Sequence, residues 1–413
     1  MSQRRILVVG GGAAGMTAAI AAAREGCQVV LLERNDRVGK KILATGNGKC
    51  NFSNRDMGIV HYYGEDLSTA ENILNTFGVE EAEDFFASLG MLIREKNGYL
   101  YPASEQASTV LDLLRLELDK LGVEVKTHQK VLKISGGKSR EQALTVHTQN
   151  DHFSCHSVIL ACGGCAAPGT GSDGNGYTLA KQLGHSIVPT VPALVQLRCK
   201  QKDFKAISGV RAKACVTLLI DGQVVAQEQG ELQLTDVGVS GIVVFQLSRM
   251  AAYGLKNKKA VAVKIDLMPE YSEEQFRQLM QKRLQDFFHR TLEEFLLGMI
   301  HKKLALYFMK QINLKSNQRV SQTEKKSLEK LLLLCKQWHL SVEAAGSFEN
   351  AQVTAGGVPF SEVTRELESR KMPGVYFAGE ILDIDGKCGG YNLQWAWSSG
   401  YMAGKNVAKG KKA

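Results

Sequence analysis

The chain has 413 residues, 44% of them hydrophobic and 23% charged, which allows two or three domains with a buried core and excludes a disordered protein. Lysine and arginine outnumber aspartate and glutamate by 51 to 42, but the excess is scattered and lies partly in the tail at residues 405–412. No basic run alternates with aromatic residues, so we expect a solvated surface rather than a nucleic-acid groove.

The first predicted elements form a β-α-β unit. Residues 6–9 are a short apolar run, 10–15 a glycine-rich turn, 16–24 an alanine-rich helix that stops at Gly26, and 29–32 a second apolar run. This alternation is typical of the opening of a doubly wound parallel sheet. The apolar stretch 13–23 is too short to span a bilayer, so no membrane span is expected.

The turn of this unit carries a dinucleotide-binding fingerprint, because residues 10–15 read GGGAAG and fit Gly-x-Gly-x-x-Gly between a strand and a helix. Gly10 permits the sharp turn, Gly12 omits a side chain where a pyrophosphate would lie, and Gly15 lets helix and strand pack closely. Free N–H groups at the helix start attract phosphate. Glu33, at the end of the second strand, can accept hydrogen bonds from ribose hydroxyls. The pattern predicts a nucleotide site without separating NAD from FAD.

The later elements change in character along the chain. Residues 107–121 have the spacing of an amphipathic helix that stops at Gly122, and 123–125, 144–148 and 158–161 are strand candidates. From about 193 to 268 the pattern is antiparallel β, with a hairpin turn at Asp221-Gly222. Residues 270–336 are predicted to be mainly helical, because 272–275 and 321–324 both fit the capping box. Strands return after about Val342, and 392–407 predict a closing helix.

These elements predict one nucleotide-binding domain with insertions. That domain would comprise residues 1–192 and 342–413. The first insertion would be an antiparallel β domain over 193–269, with a return strand expected near 341–350. The second would be a helical insert over 270–336. The C-terminal part of the chain would therefore complete the domain that the N-terminal part begins.

The number and spacing of the cysteines bear on the cellular compartment and on possible redox or metal sites. There are nine, an odd number without a regular framework, and the N-terminus lacks a signal-peptide pattern, so a reduced, cytoplasmic protein is expected. Cys162 and Cys165 have the Cys-x-x-Cys spacing of a redox dithiol, but they follow a strand expected to approach the adenosine half of a cofactor. No second cysteine pair stands at zinc-binding spacing, so no metal site is expected.

Four further glycine-bearing segments favour FAD over NAD as the cofactor. Residues 39–51 contain a polar, glycine-rich segment that can pass under a large cofactor and offer it amides and a cation. Residues 158–164 are a strand ending in two glycines, 375–380 a strand running into a Gly-acid turn, and 389–392 lead into the closing helix. The start of that helix can stabilise negative charge on a reduced flavin.

Four motifs together resemble the bacterial BaiN/YhiN-like flavoproteins: the opening fingerprint, TGNGKCN at 45–51, GSDGNGY at 171–177 and GGYNLQWAWSSG at 389–400. The resemblance covers nearly the whole chain. It implies an α/β fold in which a Rossmann-like FAD-binding domain of the glutathione-reductase type is interrupted by a β-rich domain and a small helical domain. The activity named within the family is the reduction, by NAD(P)H, of a carbon–carbon double bond conjugated to the 3-ketone of a bile acid.

Carried over by position, the resemblance implies a set of FAD contacts. The pyrophosphate would lie against Gly10, Gly12, Ala13, Ala14 and Gly15. The adenosine half would meet Glu33 at the ribose, with Arg34 beside it, the backbone of Val131 at the adenine, and Cys162 and Gly163. Lys41 and Asn51 would reach the phosphate or the flavin-side chain of the cofactor, and Thr45 and Gly46 would also bind it. Gly379 and Glu380 would bind the ribityl chain, and the flavin edge would meet Asn392, Leu393 and Gln394.

The implied chemistry is reduction of an activated alkene in a small hydrophobic carbonyl substrate. It needs a group that polarises the carbonyl or supplies a proton, and Tyr391 is the leading candidate, with Arg211 and Lys387 as further ones. No second glycine fingerprint stands in a β-α-β unit, so NAD(P)H would bind only transiently against the flavin, or another donor would reduce it.

Two other functional classes stay open at this point. One is a different flavoenzyme, an oxidase or an RNA-modifying enzyme. The other is a non-catalytic flavin protein that senses redox state or binds a partner through its basic helical insert. The natural substrate, the choice between NADH and NADPH, and the oligomeric state are left undetermined by these patterns.

Overall fold

Two units share the chain, and the first of them is discontinuous. The structure, a computed structural model, describes residues 4–137 and 142–409. The discontinuous unit comprises Met1–Val191 and Gln352–Ala413, and the inserted unit comprises Pro192–Ala351. No helix within residues 4–137 and 142–409 has both the length and the apolar character needed to cross a membrane.

The discontinuous unit begins with the predicted β-α-β arrangement, which is confirmed. Its first strands are β1 (Arg5–Val9), β2 (Gln28–Leu32), β3 (Ser53–Asn54), β4 (Tyr62–Tyr63), β5 (Ile93–Lys96), β6 (Tyr99–Pro102), β7 (Glu124–Lys126), β8 (Val131–Gly136), β9 (Leu144–Thr148), β10 (His152–Cys155) and β11 (Ser157–Leu160). Its first helices are α1 (Ala13–Arg24), α2 (Lys40–Leu43), α3 (Ser68–Thr76), α4 (Val79–Ser88), α5 (Ala107–Lys120) and α6 (Asn175–Gln182).

A short strand, β12 (Val191–Ala193), precedes the barrel and helices of the inserted unit. The barrel strands are β13 (Leu197–Cys199), β14 (Arg211–Ile220), β15 (Gln223–Leu234), β16 (Gly238–Ser240), β17 (Val261–Asp266) and β18 (Trp338–Ala345). The helices are α7 (Ile242–Lys256), α8 (Glu273–Asp286), α9 (Leu292–Leu296), α10 (Lys302–Gln311) and α11 (Lys325–Lys336). The chain then returns to the discontinuous unit with β19 (Val353–Ala355), β20 (Val375–Phe377), β21 (Asp385–Gly386) and the closing helix α12 (Tyr391–Lys409).

The central sheet of the discontinuous unit is parallel, with the strand order β20-β11-β1-β2-β7. Leu7 of β1 pairs with Val30 of β2 and with Val158 of β11, and all three side chains are fully buried. Strands that are apolar along their whole length are expected in a parallel sheet covered on both faces. The fingerprint turn follows β1 directly, so it lies at the carboxyl edge of this sheet, where such folds bind ligands.

Glycines let the closing helix α12 pack directly against α1. A Cβ added at Gly404 would lie 2.3 Å from the carbonyl oxygen of Ala18, and one at Gly400 would lie 2.4 Å from that of Ala14. Both distances are far below van der Waals contact, so only glycine permits this approach. The C-terminal helix is thereby held beside the first helix of the chain.

The six strands of the inserted unit close into a barrel in the order β13-β16-β15-β14-β17-β18. The predicted hairpin turn is confirmed, because Asp221 and Gly222 both have positive φ, 51° and 78°, as a type I′ turn requires. Trp338 of β18 packs against Phe308 of α10, with ring centroids 5.1 Å apart. Where the sequence suggested a separate helical insert over 270–336, these helices and the barrel share one buried core.

One segment of the inserted unit was predicted wrongly. Residues 242–256, expected to belong to an antiparallel sheet, form the helix α7. Val243, Leu247 and Ala251 recur at intervals of four and are all buried, which is the spacing of one helical face. Short apolar runs fit a buried strand and a buried helix equally well, and here the decision comes from packing on the barrel.

The two predicted capping boxes have different outcomes. At Ser272 the box forms, because the hydroxyl accepts from the Gln275 amide at 3.2 Å and the Gln275 side chain accepts from the Ser272 amide at 2.9 Å. At Ser321 the prediction was wrong. A single 3-10 turn, Val320–Gln322, occupies that position, and α11 begins only at Lys325. The Thr323 hydroxyl donates back to a carbonyl of the preceding loop instead of opening a helix.

Candidate cofactor site

The three glycines of the fingerprint turn face different surroundings. A Cβ at Gly10 would lie 2.4 Å from the carbonyl oxygen of Ala161, and one at Gly15 would lie 1.9 Å from that of Gly10. Among the described residues, none apart from its two chain neighbours has an atom within 4 Å of a Cβ added at Gly12. The fold therefore requires the first and third glycines, whereas the middle one leaves open space at the start of α1.

The start of α1 has the properties of an anion site. Gly12 is the residue that precedes the helix, and no side chain caps the helix there. The first turn contains no acidic side chain. The backbone N–H groups of this turn therefore keep their capacity to bind phosphate, and the helix dipole adds positive potential. The open space at Gly12 and this uncapped turn together fit a pyrophosphate group.

The C-terminal part of the chain reaches the same turn. A Cβ added at Gly379 would lie 2.8 Å from the Cβ of Ala14, and Gly379 has a φ of 80°, which favours glycine. Its amide donates to the Ser399 hydroxyl on α12 at 2.9 Å, and its carbonyl accepts from the Trp395 indole at 3.1 Å. The structure thus brings the predicted residues Ala13, Ala14 and Gly379 together.

Glu33 is held by the backbone on both sides of its carboxylate. It is 7% exposed, its Oε2 accepts from the Gly11 amide at 2.9 Å, and its Oε1 accepts from the Asn35 amide at 2.8 Å. Arg34, next in the chain, forms an ion pair with Asp173 of the GSDGNGY motif. The acid is therefore fixed beside the glycine turn, while its contact with a ribose stays a prediction.

The other residues predicted for the adenosine half lie at the first position of β8 and in the loop after β11. The carbonyl of Val131 accepts from the Asn175 side chain at 3.0 Å. The thiol of Cys162 donates to the carbonyl of Val9 at 3.5 Å, and burial raises its pKa to about 12. A Cβ at Gly163 would lie 2.7 Å from the Ser172 hydroxyl. Cys162 and Cys165 are both free thiols, and the raised pKa of Cys162 is unsuited to a reactive thiolate.

An ion pair joins the two ends of the chain at the site. Lys41 Nζ lies 2.9 Å from Glu380 Oε2, and Glu380 Oε1 accepts from the Thr354 amide at 2.6 Å. The Thr354 hydroxyl in turn accepts from the Cys165 amide at 2.8 Å. Lys41 and Glu380, predicted separately, are therefore direct partners, and Thr354 is a supporting residue without any signal in the sequence pattern.

The glycine-rich segment after α2 forms a compact turn. The Thr45 hydroxyl donates to the carbonyl of Ile42 at 2.6 Å, and Gly46 has a φ of 55°. The side-chain nitrogen of Asn51 donates to the carbonyls of Ser53 at 2.8 Å and of the neighbouring strand β6 at 3.1 Å. The side chains of Thr45 and Asn51 therefore stabilise the turn itself, and any contact with a cofactor stays a prediction.

The side-chain amides of Asn392 and Gln394, at the start of α12, form hydrogen bonds with other residues of the protein. Asn392 accepts from the Gly386 amide and donates to the Gly386 carbonyl, each at 2.8 Å. Gln394 is fully buried, accepts from the Ser53 hydroxyl at 2.6 Å and donates to the carbonyl of Gly78 at 2.8 Å. Leu393 is half-buried against the core. These side chains hold the loops around the helix start, and their predicted flavin contacts stay untested.

Tyr391 opens α12 with a buried ring and an unpartnered hydroxyl. The residue is 6% exposed, its ring lies 4.7 Å from that of His61, and it meets the edge of Tyr62 at 6.0 Å. Within residues 4–137 and 142–409, no group forms a hydrogen bond with the Tyr391 hydroxyl, and this oxygen is not among the buried polar atoms, so it reaches solvent. Burial, assisted by the charges of Asp56 and Tyr99, raises the pKa of Tyr391 to about 12.

Arg211 and Lys387, the other two candidates for polarising a carbonyl, lie in different units of the chain. Arg211 lies on β14 of the inserted unit, where its exposed guanidinium pairs with Glu231 at 3.1 Å. The Lys387 amide donates to the carbonyl of His61 at 2.9 Å, so its backbone stands beside the Tyr391 ring stack. The described ranges contain no cluster of three His, Cys, Asp or Glu side chains able to hold a metal ion.

Comparison with known proteins places this chain in a family. Residues 4–406 match the family described as HI0933-like protein Rossmann domain. A 3-dehydro-bile acid delta(4,6)-reductase from Clostridium scindens is 45% identical over 98% of this chain and 99% of its own length. A ribosomal RNA dihydrouridine synthase from Haemophilus influenzae is 28% identical over 98% of both chains.

A solved structure with the same fold is the 3-ketosteroid-delta4-(5alpha)-dehydrogenase from Rhodococcus jostii RHA1 in complex with 4-androstene-3,17-dione. Its TM-score is 0.51, with 98% of this chain and 97% of that chain covered at 16% identity. The predicted α/β class and the predicted family resemblance are both confirmed. This protein is a member of the HI0933-like Rossmann family, and its fold is the Rossmann-type FAD-binding fold.

Proposed function

We propose that this protein is an FAD-dependent oxidoreductase that reduces a carbon–carbon double bond conjugated to a carbonyl in a small hydrophobic, steroid-like substrate. A reduced nicotinamide, NADH or NADPH, would be the electron donor. The observation that carries the proposal is the 45% identity, over 99% of its length, to a protein named as a bile-acid reductase. The uncapped helix start and the open space beside Gly12 support it, because the free N–H groups there would be able to bind the cofactor's pyrophosphate.

The residues around the glycine turn would hold FAD. The N–H groups at the start of α1 would bind the pyrophosphate, and Glu33 would accept hydrogen bonds from the ribose. Lys41 and Glu380, paired at 2.9 Å, would lie near the middle of the cofactor. Bound FAD supplies the hydride transfer between the nicotinamide and the alkene. The protein's own task is then to orient the substrate, exclude water and deliver a proton.

Tyr391 is the residue we propose as proton donor to the alkene carbon next to the carbonyl. Its hydroxyl has no hydrogen-bond partner in the described ranges, so it is available to a substrate. Because burial raises its pKa to about 12, Tyr391 carries its proton at neutral pH and can act as an acid there. In the step itself, the Tyr391 O–H bond breaks and a C–H bond forms with the electron pair of the enolate carbon.

A second candidate substrate class follows from the 28% identity to a ribosomal RNA dihydrouridine synthase. Dihydrouridine differs from uridine by saturation of a ring double bond that is conjugated to a carbonyl. The two relatives' names therefore describe the same kind of bond reduction on very different molecules. An RNA substrate would use the same proton donor and cofactor site, so the test must include both acceptors.

The test is an anaerobic half-reaction experiment on the purified full-length protein loaded with FAD. We expect NADH or NADPH to bleach the flavin absorbance, and a 3-keto-4-ene steroid to restore it with formation of the saturated ketone. Tyr391→Phe should slow the second step by about a hundredfold without slowing the first, because only the second consumes a proton from this residue.

Other outcomes would redirect or overturn the proposal. Reoxidation by uridine-containing RNA but not by enones would select the RNA substrate. Rapid formation of hydrogen peroxide in air would indicate an oxidase. A protein that binds no FAD, or whose bound FAD no enone and no RNA can reoxidise, would refute a double-bond reductase and favour a sensing or partner-binding role.

A further inference from the structure

Two phenol rings meet at Gly389, the first residue of the GGYNLQWAWSSG motif, which is not among the predicted cofactor contacts. A Cβ added at Gly389 would lie 2.9 Å from Tyr99 Cε1 and 3.3 Å from Tyr391 Cε2. In each ring, this atom is bonded to the carbon that carries the hydroxyl. The hydroxyl ends of Tyr99, from β6, and of Tyr391, from α12, therefore lie close to the same glycine.

The loop that carries Gly389 is fixed against the strand β3. The Asn54 side chain donates to the Gly389 carbonyl at 2.9 Å, and Asn54 is also the residue that pairs with Tyr99 in the sheet. A Cβ added at Gly390 would lie 2.6 Å from the carbonyl oxygen of Ser53, so the two backbones are in close contact. The position of the Tyr99 ring relative to the start of α12 is therefore set by the backbone and by one hydrogen bond.

The hydroxyls of Tyr99 and Tyr391 are both available to a ligand. In the described ranges of the chain, neither hydroxyl forms a hydrogen bond, and neither oxygen is among the buried unpartnered atoms, so both reach solvent. Burial and the charge of Asp56 raise the pKa of Tyr391, and the charge of Tyr99 adds to this effect. The two phenols are therefore near enough to interact with each other, and near enough to act on one small molecule.

The proposed reaction needs two separate donors. When the alkene carbon furthest from the carbonyl accepts a hydride, the electron pair of the double bond moves towards the carbonyl oxygen and an enolate forms. The oxygen then needs a hydrogen-bond donor that stabilises its negative charge, and the carbon next to the carbonyl needs a proton. One phenol cannot do both at once, because its hydroxyl carries a single proton.

We propose that Tyr99 is a catalytic residue that donates a hydrogen bond to the carbonyl oxygen of the substrate, while Tyr391 protonates the neighbouring carbon; the inference rests on the proposed function. Tyr99 keeps its proton throughout, and its hydrogen bond strengthens as negative charge develops on the oxygen. The Tyr391 O–H bond breaks as the C–H bond forms. The resulting phenolate regains a proton from solvent, which its oxygen reaches.

The test uses the FAD-loaded full-length protein and the variant Tyr99→Phe, which keeps the ring but removes the hydroxyl. We expect its single-turnover reoxidation by a 3-keto-4-ene steroid to slow by about a hundredfold, which is the usual effect of removing one donor to a developing oxyanion. Reoxidation by ferricyanide should match that of the parent, because this acceptor takes electrons without forming an enolate. Reduction of the flavin by NADH or NADPH should also be unchanged.

A binding measurement distinguishes this role from a structural one. In calorimetry with the oxidised protein, Tyr99→Phe should bind the steroid ketone about fivefold more weakly, because one neutral hydrogen bond is lost. Its affinity for the same steroid without the 3-keto oxygen should equal that of the parent. Tyr101→Phe is the matched control and should behave like the parent. Tyr101 lies on the same face of β6, but the charges that act on Tyr391 are those of Asp56 and Tyr99.

The outcomes separate this inference from the proposed function. If neither an enone nor uridine-containing RNA reoxidises the parent protein, the proposed function fails and the inference fails with it. If the parent accepts only RNA, the same rate comparison applies, since the uracil double bond is also conjugated to a carbonyl. A Tyr99→Phe variant that keeps the parent's rate would show that Tyr99 does not stabilise the oxyanion. Equal losses with the enone and with ferricyanide, or weaker binding of both steroids, would also overturn the inference, because Tyr99 would then only maintain the shape of the site.

Discussion

Gly12 and Gly15 lie on one turn, yet a side chain would meet different surroundings at each. At Gly15 it would collide with the backbone of Gly10 at 1.9 Å, whereas at Gly12 it would meet none of the described residues beyond its chain neighbours within 4 Å. Gly12 also has an ordinary φ of −82°, which any residue can adopt. The structure therefore assigns Gly15 to packing and shows no packing reason for a glycine at position 12, where ligand binding stays a prediction.

We predict opposite effects for alanine at these two positions. Gly12→Ala should leave the free energy of unfolding unchanged but weaken FAD binding by about tenfold or more, because its methyl group would fill the space for the pyrophosphate. Gly15→Ala should destabilise the fold by at least about 1–3 kcal/mol through overpacking. Urea unfolding of the FAD-free protein and fluorescence titration with FAD would measure the two quantities. Unchanged FAD affinity in Gly12→Ala would contradict the placement of the pyrophosphate.

Several elements of the discontinuous unit meet at one buried histidine. His185 follows α6, its Nδ1 lies 2.9 Å from Glu362 Oε2, and its Nε2 lies 2.7 Å from the Ser369 hydroxyl. Its ring packs on the edge of Phe377 in β20, with centroids 4.9 Å apart. This single side chain therefore links the end of a helix, a loop and an edge strand of the central sheet.

The burial of His185 makes this junction sensitive to acid. Burial lowers the pKa of His185 below its ordinary value of 6.5, although the Glu362 carboxylate opposes the shift. Below pH 6.5 the unfolded chain therefore binds a proton that the folded chain resists, and stability is lost as the pH falls through this range. Above it, both states hold a neutral imidazole and the contribution is constant.

We predict that His185→Gln reduces this acid sensitivity. The variant should lose stability at neutral pH, because its hydrogen bonds to Glu362 and Ser369 are disturbed. The further loss between about pH 7 and pH 5.5 should be smaller than in the parent, since the group that titrates is gone. Denaturant unfolding at the two pH values would measure it, with the exposed His152→Gln as control. An equal loss in parent and variant would show that His185 does not titrate in this way.

At the scale of the whole molecule, each unit has its own hydrophobic core. One buried cluster contains the central sheet and α12, and the other contains the barrel and the helices α8–α11. All of the predicted FAD contacts lie in the discontinuous unit. A ligand that binds only the folded form of one unit stabilises that unit by mass action, by about 2.7 kcal/mol at a hundred times its Kd.

We therefore predict that FAD raises the unfolding temperature of the discontinuous unit but not that of the inserted unit. Calorimetry of the FAD-free protein should resolve two transitions, and saturating FAD should raise the temperature of one while leaving the other within a degree or so. Gly12→Ala should weaken that shift without changing either transition in the absence of FAD. A single transition that moves as a whole with FAD would show instead that the two cores unfold together.

Features determined by residues close together in the sequence could be predicted, whereas features determined by packing between distant residues could not. The β-α-β opening, the fingerprint turn and the hairpin at Asp221 were predictable because a few neighbouring residues determine each of them. The helix α7 was missed because a short apolar run does not distinguish a buried helix from a buried strand. The capping box predicted at Ser321 does not form, because the chain makes a 3-10 turn there and the helix begins only at Lys325. A short motif therefore does not determine a helix start by itself.

The sequence by itself determined the fold class, the family and the segments that carry glycines, because those follow from local periodicity and from short motifs. Only the tertiary structure decided which residues meet: it paired Lys41 with Glu380 across 339 positions, and placed His61 on Tyr391. It also showed that the side-chain amides of Asn392 and Gln394 form hydrogen bonds within the protein. Contacts of this kind depend on the register of the sheet and the packing of α12 on α1, and no local pattern encodes either.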